Sequence, residues 1–410
     1  MFVTAQFKLA IASKSKKTLT TVFIVLSLLI FIFCFTWLFV KNRQIGDINK
    51  SQVIEIQQRT SEQLNLESQL ASASVTIEKL LSEDQRVKND RLEATISAIQ
   101  KTYLDSTKLY EEILDLRGDK ADTQKIEERL ADSISQMAAQ NYSSASATLK
   151  TVAAEIKALQ QKLAESAVAS TPQAAVSNTA PSSGYGRQKV ETDIGGFVVS
   201  LIAADLSSTK VIVDTASGGD CGNDCPVLSL SDYVSRNGGY AGVNGSYFCP
   251  ATYPSCAGKT NTFDLLVMNK DKVYFNSGNN VYSNNPAVIF GGGYVRFVGA
   301  ASEWGRDTGI DSMLSNYPLL VSGNQVRFNG DGDPKKGSKG NRSFVANKGN
   351  TVYIGVVHGA TVAESAHALQ TLGMDNALNL DSGGSTALWS GGYKVGPGRN
   401  IPNAIVFVRK

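Results

Sequence analysis

Of all the side chains in this sequence, Asp381 is the one whose surroundings best suit chemistry. It sits in Asn379–Trp389, NLDSGGSTALW, after an apolar stretch, MDNAL, that reads as a short buried strand. The carboxylate therefore stands where a strand stops and a glycine turn begins. Gly383, Gly384 and Ser385 offer backbone N–H groups with little side-chain bulk above them, which suits close approach by a polar or anionic ligand. The same residues also read as a tight turn whose Asp caps its own loop.

Further polar groups sit at comparable places. In AGVNGSYFCP, Asn244 and Gly245 follow a short apolar strand, and Asn-Gly is also the commonest hairpin turn signal. In GSKGNRSFVA, Arg342 enters a strand from a basic, glycine-rich loop carrying Lys335, Lys336 and Lys339, which could hold a phosphate or simply face solvent. His358 ends the strand-like YIGVVH, at the same end as Asp381, and titrates near neutral pH, so it is a candidate acid or base as well as an ordinary strand-end residue. His367, inside a helical pattern, reads as structural or exposed. Glu303, in SEWGRD, is an unassigned second carboxylate. No metal-ligand spacing is visible, and no metal or cofactor is expected.

The elements that position these residues begin near residue 188, where the hydrophobic period becomes strand-like. FVVSLIAADL and KVIVDTAS read as a hairpin, and several similar pairs follow. Thr361 and Glu364 form a capping-box pattern at the start of a helix, and Gly373 sits where its C-terminus favours a left-handed residue. TVYIGVVH, ATVAESAHALQTLG and NALNLD then give a β-α-β unit ending on Asp381, and ligands gather beyond the carboxyl ends of such strands.

The N-terminal half has another character. Residues 18–40 carry no charge and are long enough to span a bilayer as a helix; Lys8, Lys14, Lys16 and Lys17 before them favour a cytoplasmic N-terminus. No small-residue cleavage site follows the run, so an uncleaved anchor is expected in place of a signal peptide. From 44 to 168, apolar residues recur in steps of three and four, for example Leu149, Val152, Ile156, Leu159 and Leu163, giving a coiled-coil-like stalk. Breaks at 117–122 and 140–146 suggest a helical hairpin within it, and the stripe is compatible with homo-oligomers. Residues 169–187, small, polar and interrupted by Pro, read as a flexible linker.

The expected organisation is a basic cytoplasmic tail (1–17), a transmembrane helix (18–40), an all-α stalk (44–168), a linker (169–187) and an α+β domain on mixed β-sheet (188–410). With the C-terminal domain outside the membrane, Cys221, Cys225, Cys249 and Cys256 suggest two disulfides with three possible connectivities, of which the local pairs 221–225 and 249–256 are preferred. A four-thiolate zinc site is the alternative, at an unusual spacing. The net charge of +3, with basic residues dispersed, gives no sign of a nucleic-acid partner.

Together, NGSYF, NRSFVA and NLDSGGST, in that order and spacing, resemble the phosphodiester glycosidase family over roughly residues 188–410. The resemblance implies hydrolysis of a sugar-1-phosphodiester, releasing the sugar and leaving a phosphomonoester, in cell-envelope or exopolysaccharide glycans. In that scheme Asp381 is nucleophile, base or oxocarbenium stabiliser, and Arg342, then Arg399, holds the phosphate. Asn244 and Asn379 fix sugar hydroxyls or the loop, and His358 is an acid or base. Two residues depart from the family pattern: Ser382 replaces the first Gly of a triplet, and His358 stands where Asp is more usual. A catalytically silent glycan-binding module on a stalk, or an envelope protein whose coiled coil is the working part, are the other readings.

Overall fold

The computed structural model describes residues 4–82, 85–169, 174–280, 282–307 and 309–410. The first three residues of the expected tail and residues 170–173 of the expected linker lie outside the described residues. The chain divides into two compact units, Met1–Ala94 and Thr95–Lys410. The first is dominated by helix α1 (Thr4–Ser82), whose large apolar side chains from Val22 to Val40 are exposed. Its apolar stretch is long enough to cross a membrane.

The second unit takes in the later part of α2 (Gln85–Gly118), then α3 (Gln124–Ala138) and α4 (Tyr142–Ala169). The two breaks expected from sequence are present, with Lys120 and Gln140 both at φ 60°. Leu109, Ile113 and Leu116 of α2 pack with Ile126, Leu130, Leu149, Val152 and Ile156 to give these helices a core of their own. Earlier stripe residues of α2, Ile96, Ile99 and Tyr103, are exposed.

The sheets contain the strands β1 (Gly184–Thr192), β2 (Gly195–Asp205), β3 (Thr209–Thr215), β4 (Ala241–Asn244), β5 (Leu319–Ser322), β6 (Gly340–Lys348), β7 (Thr351–Ala360), β8 (Asn376–Asn379), β9 (Leu388–Ser390) and β10 (Asn403–Arg409). One sheet runs β1-β2-β7-β6-β8-β5 and ends on Gln325–Val326; a second runs from Tyr393–Val395 through β9-β4-β10-β3. A third, of five short strands, lies between residues 267 and 315. Ile202, Val213, Val243, Val288, Ile354 and Leu378, drawn from all three sheets, share one core.

The domain is α+β, as expected, with one difference: every ladder between the named strands is antiparallel. Strands β7 and β8 are joined through helix α5 (Val362–Thr371), but both pair with β6, which lies between them, so the β-α-β unit is split. Alternation along each strand reports burial and not the direction of its partner, which is why the sequence pattern could not exclude a parallel pair. The capping box at Thr361 and Glu364 forms in both directions, and Gly373 has φ 78°.

Two boundaries differ from the sequence reading. The helices from residue 95 onward do not form a separate spacer, because α4 packs on β7: a Cβ at Gly359 would lie 2.9 Å from that of Ala164. Part of the expected linker is held against the sheet, with Val176 bridged to Lys189 and the Gln188 amide donating to the carbonyls of Ser177 at 2.7 Å and Thr179 at 2.9 Å. Backbone bonds to an edge strand need no apolar side chains, so composition did not reveal them.

Candidate active site

The three motifs meet at one buried amide. Asn244, at the end of β4, donates from Nδ2 to the carbonyl of Asp381 at 2.6 Å. Its Oδ1 accepts from the Ser343 hydroxyl at 2.8 Å and from the backbone N–H of Ala387 at 3.1 Å. The chain just past β8 is fixed further by the Leu380 N–H donating to Ser343 O at 2.9 Å and that of Asp381 donating to Gly245 O at 3.0 Å. Gly245 has a specific reason to be glycine: a Cβ there would lie 1.8 Å from Oδ1 of Asn403.

This clamp delivers Asp381 to a cavity of about 530 Å³. Its Oδ1 accepts from the Ser382 N–H at 2.9 Å, and the Ser385 side chain also bonds to the carboxylate. Burial pushes its pKa up from 3.8 to about 7, opposed by the bond from Ser385, the charge of Arg399 and the Ser382 N–H, and reinforced by Asp115. Ser382 is in an ordinary extended conformation (φ −140°), whereas Gly383 has φ 62°. The departure at Ser382 thus falls where any residue fits the backbone, and its hydroxyl turns away to donate to Leu380 O at 3.2 Å. Gly384 makes room for Arg399, whose Nη2 would be 2.2 Å from an added Cβ.

Several sequence candidates lie elsewhere than expected. Arg342 is buried and its guanidinium is tied to backbone: Nε donates to Ala360 O at 3.0 Å, and Nη2 donates to Lys335 O at 3.0 Å and to Ser338 O. It lines the cavity, as Arg399 does, and these bonds also buttress the basic loop. His358 is buried between Ser200 Oγ (2.9 Å) and Asn341 Oδ1 (3.2 Å) and does not line the cavity. Burial, with the nearby charge of Arg187, lowers its pKa to about 4, so it is neutral near pH 7.

Asn379 also stays behind the cavity wall, donating to Tyr247 Oη at 2.6 Å and to Tyr317 O at 3.1 Å. His367 lies 3.3 Å from Asp193, and Glu303 sits in a turn at Ala301–Trp304; neither lines the cavity. Both disulfides form with the preferred connectivity, 221–225 and 249–256.

The structure adds residues that sequence reasoning missed. Tyr253 and Ser255 reach the cavity from the loop closed by Cys249 and Cys256, directly after NGSYF. That closed loop beside a motif was the available signal. Tyr247 and Tyr317 form another wall, their rings 5.0 Å apart. A further wall comes from the end of α2, through Glu111, Glu112 and Asp115, with Asp119 in the turn just beyond it. Burial raises the pKa of Glu112, and raises that of Asp119 to about 6 with Asp115 adding to the effect. Nothing local in the sequence marked these four: the first three read as polar positions of a helix and Asp119 as part of the break that follows it.

Residues 237–408 match the family model described as phosphodiester glycosidase. No match was found among curated proteins. Among solved structures, a hypothetical protein from Synechocystis is 14% identical, with 55% of this chain and 62% of that one covered at a TM-score of 0.39. The chain thus spans less than two thirds of that protein. The zebrafish N-acetylglucosamine-1-phosphodiester alpha-N-acetylglucosaminidase catalytic domain, auto-inhibited by its pro-peptide, is 16% identical, with 58% and 87% covered at a TM-score of 0.43. A protein described as exported, from Burkholderia pseudomallei K96243, is 13% identical, with 52% and 74% covered at a TM-score of 0.35.

Proposed function

We infer that this chain, whose residues 237–408 form a phosphodiester glycosidase domain, is a membrane-anchored enzyme that hydrolyses sugar-1-phosphodiesters outside the cytoplasm, in cell-envelope or exopolysaccharide glycans. The observation that carries the reading is Asp381 itself: a carboxylate clamped just past a strand end and lining the cavity, with the charge of Arg399 acting on it.

The chemistry follows from the leaving group. Glycoside hydrolysis commonly uses two carboxylates, one of which protonates the departing oxygen. A phosphomonoester is a weak base and departs with little protonation, so one carboxylate facing the anomeric carbon suffices. Ionised Asp381 stabilises the positive charge that develops on the sugar ring, and Arg399 holds the phosphate through paired N–H donors. Tyr247, Tyr253 and Tyr317 supply flat apolar surface for the sugar. The full-length protein, incubated with a panel of sugar-1-phosphodiesters, is expected to release free sugar and phosphomonoester. Binding of wall glycans without release from any substrate would favour the silent binding module instead.

Membrane anchoring rests on the apolar helix of residues 22–40 and the extracytoplasmic placement on the two disulfides. Protease added to intact cells is expected to cut the chain after residue 41; protection until the cells are permeabilised would overturn the topology.

A further inference from the structure

The acidic wall of the cavity is contributed by the same helix that leads into the domain. Glu111 and Asp115 are four residues apart, on one face of the last turns of α2, and Asp119 follows in the turn after it. Two of them are anchored at specific donors. Asp115 accepts from Tyr253 Oη at 2.5 Å and from Arg399 Nη2. Glu111 accepts from the Ser255 N–H at 3.3 Å and from its hydroxyl, and pairs with Lys335 at 3.2 Å.

The donors form a compact set. The Arg399 guanidinium and the Lys335 ammonium lie 5.1 Å and 4.8 Å from the centroid of the Tyr253 ring. Two cations, two hydroxyls and a backbone N–H therefore converge on a small volume, the inventory that an oxyanion with several acceptor oxygens requires. Arg399 also retains a buried Nη1 with no hydrogen-bond partner among the described residues, so the carboxylates do not use up the site. The fold does not depend on these ion pairs for its helical core, which is apolar and separate. A contact closed by charges and not by apolar surface is weakened by salt and by competing anions.

We propose that Glu111 and Asp115 occupy an anion subsite built by Tyr253, Ser255, Lys335 and Arg399, so that helix α2 competes with the phosphate of an anionic substrate for the same donors. The choice of phosphate rests on the function proposed above; the competition itself does not. Substrate binding then requires the two carboxylates to give way, and the helical segment sets the apparent affinity of the site.

The test is phosphate binding, independent of hydrolysis. Inorganic phosphate and a hexose 1-phosphate are titrated calorimetrically into the full-length chain in detergent, as wild type and as the Glu111→Gln, Asp115→Asn double variant. The double variant is expected to bind both at least tenfold more tightly, and addition of Arg399→Ala is expected to abolish the gain. The Asp115→Asn single variant, which leaves Ile113 and Leu116 in place, is expected to gain about threefold and carries the test if the double variant fails to fold. Unchanged affinity would make the contacts purely structural, and weaker binding would make Asp115 a group that orients Arg399; either overturns the proposal. A gain in affinity with no hydrolysis of any substrate would leave the subsite standing and remove only the enzymatic reading.

Discussion

Asn244 holds the three motifs together, and its removal should show in stability before it shows in chemistry. Asn244→Ala deletes hydrogen bonds to Asp381 O, Ser343 Oγ and the Ala387 N–H, all at a fully buried position. The bonds to Asp381 O and Ser343 Oγ contribute about 1 kcal/mol net each, and stranding the buried Ala387 N–H costs about 1–3 kcal/mol, for a total of about 3–5 kcal/mol. At about 2–4 °C per kcal/mol for a domain of this size class, the melting temperature should fall by about 6–20 °C. Asn244→Asp keeps the acceptor but replaces the donor facing Asp381 O, and should cost about 1–3 kcal/mol. The assay is thermal unfolding followed by near-ultraviolet circular dichroism, with hydrolysis measured well below the transition. An alanine variant that melts within about 2 °C of wild type would refute the clamp, because among the described residues only Asn244 bonds to Asp381 O, the Ser343 hydroxyl and the Ala387 N–H.

Two further outcomes follow from the site. The folded-state pKa of Asp381 is raised from 3.8 to about 7, so the stability linked to its protonated form is complete below about 3.8 and is lost as pH rises through about 7. Asp381→Asn, neutral throughout, should therefore gain stability relative to wild type between pH 5 and pH 8 in urea unfolding; a constant difference would contradict the shift. Arg342→Ala strips the donors that hold Ala360, Lys335 and Ser338 carbonyls, and should lower stability by about 2–4 kcal/mol, while Arg342→Lys, retaining a charge, should rescue little because it lacks the planar fork.

How much of this was legible in the sequence depended on whether the cause was local. The Asp381 turn, the capping box at Thr361, the helix breaks near Gly118 and Gln140 and both disulfides rest on residues a few positions apart, and all appear where the pattern placed them. The surroundings of Arg342 and His358 were not legible, because a basic or titratable residue at a strand end looks the same from the sequence whether it faces a ligand or a neighbouring strand. Their partners, the carbonyls of residues 335, 338 and 360 and the hydroxyl of Ser200, come from elsewhere in the fold. The acidic wall was invisible for a related reason: Asp115 and Arg399 are 284 residues apart, and helical carboxylates ordinarily face water.

The central claim is that Asp381 supplies the negative charge on which the reaction depends. Asp381→Asn preserves size and most hydrogen bonding while removing that charge, so the measurement is turnover of the best sugar-1-phosphodiester by the variant and the wild type, beside calorimetric binding of inorganic phosphate by both. The account predicts a fall in kcat of roughly a thousandfold or more, the scale on which a main electrostatic contribution is lost, with phosphate affinity within about threefold of wild type. Hydrolysis by the Asn variant at a rate near that of wild type would contradict it.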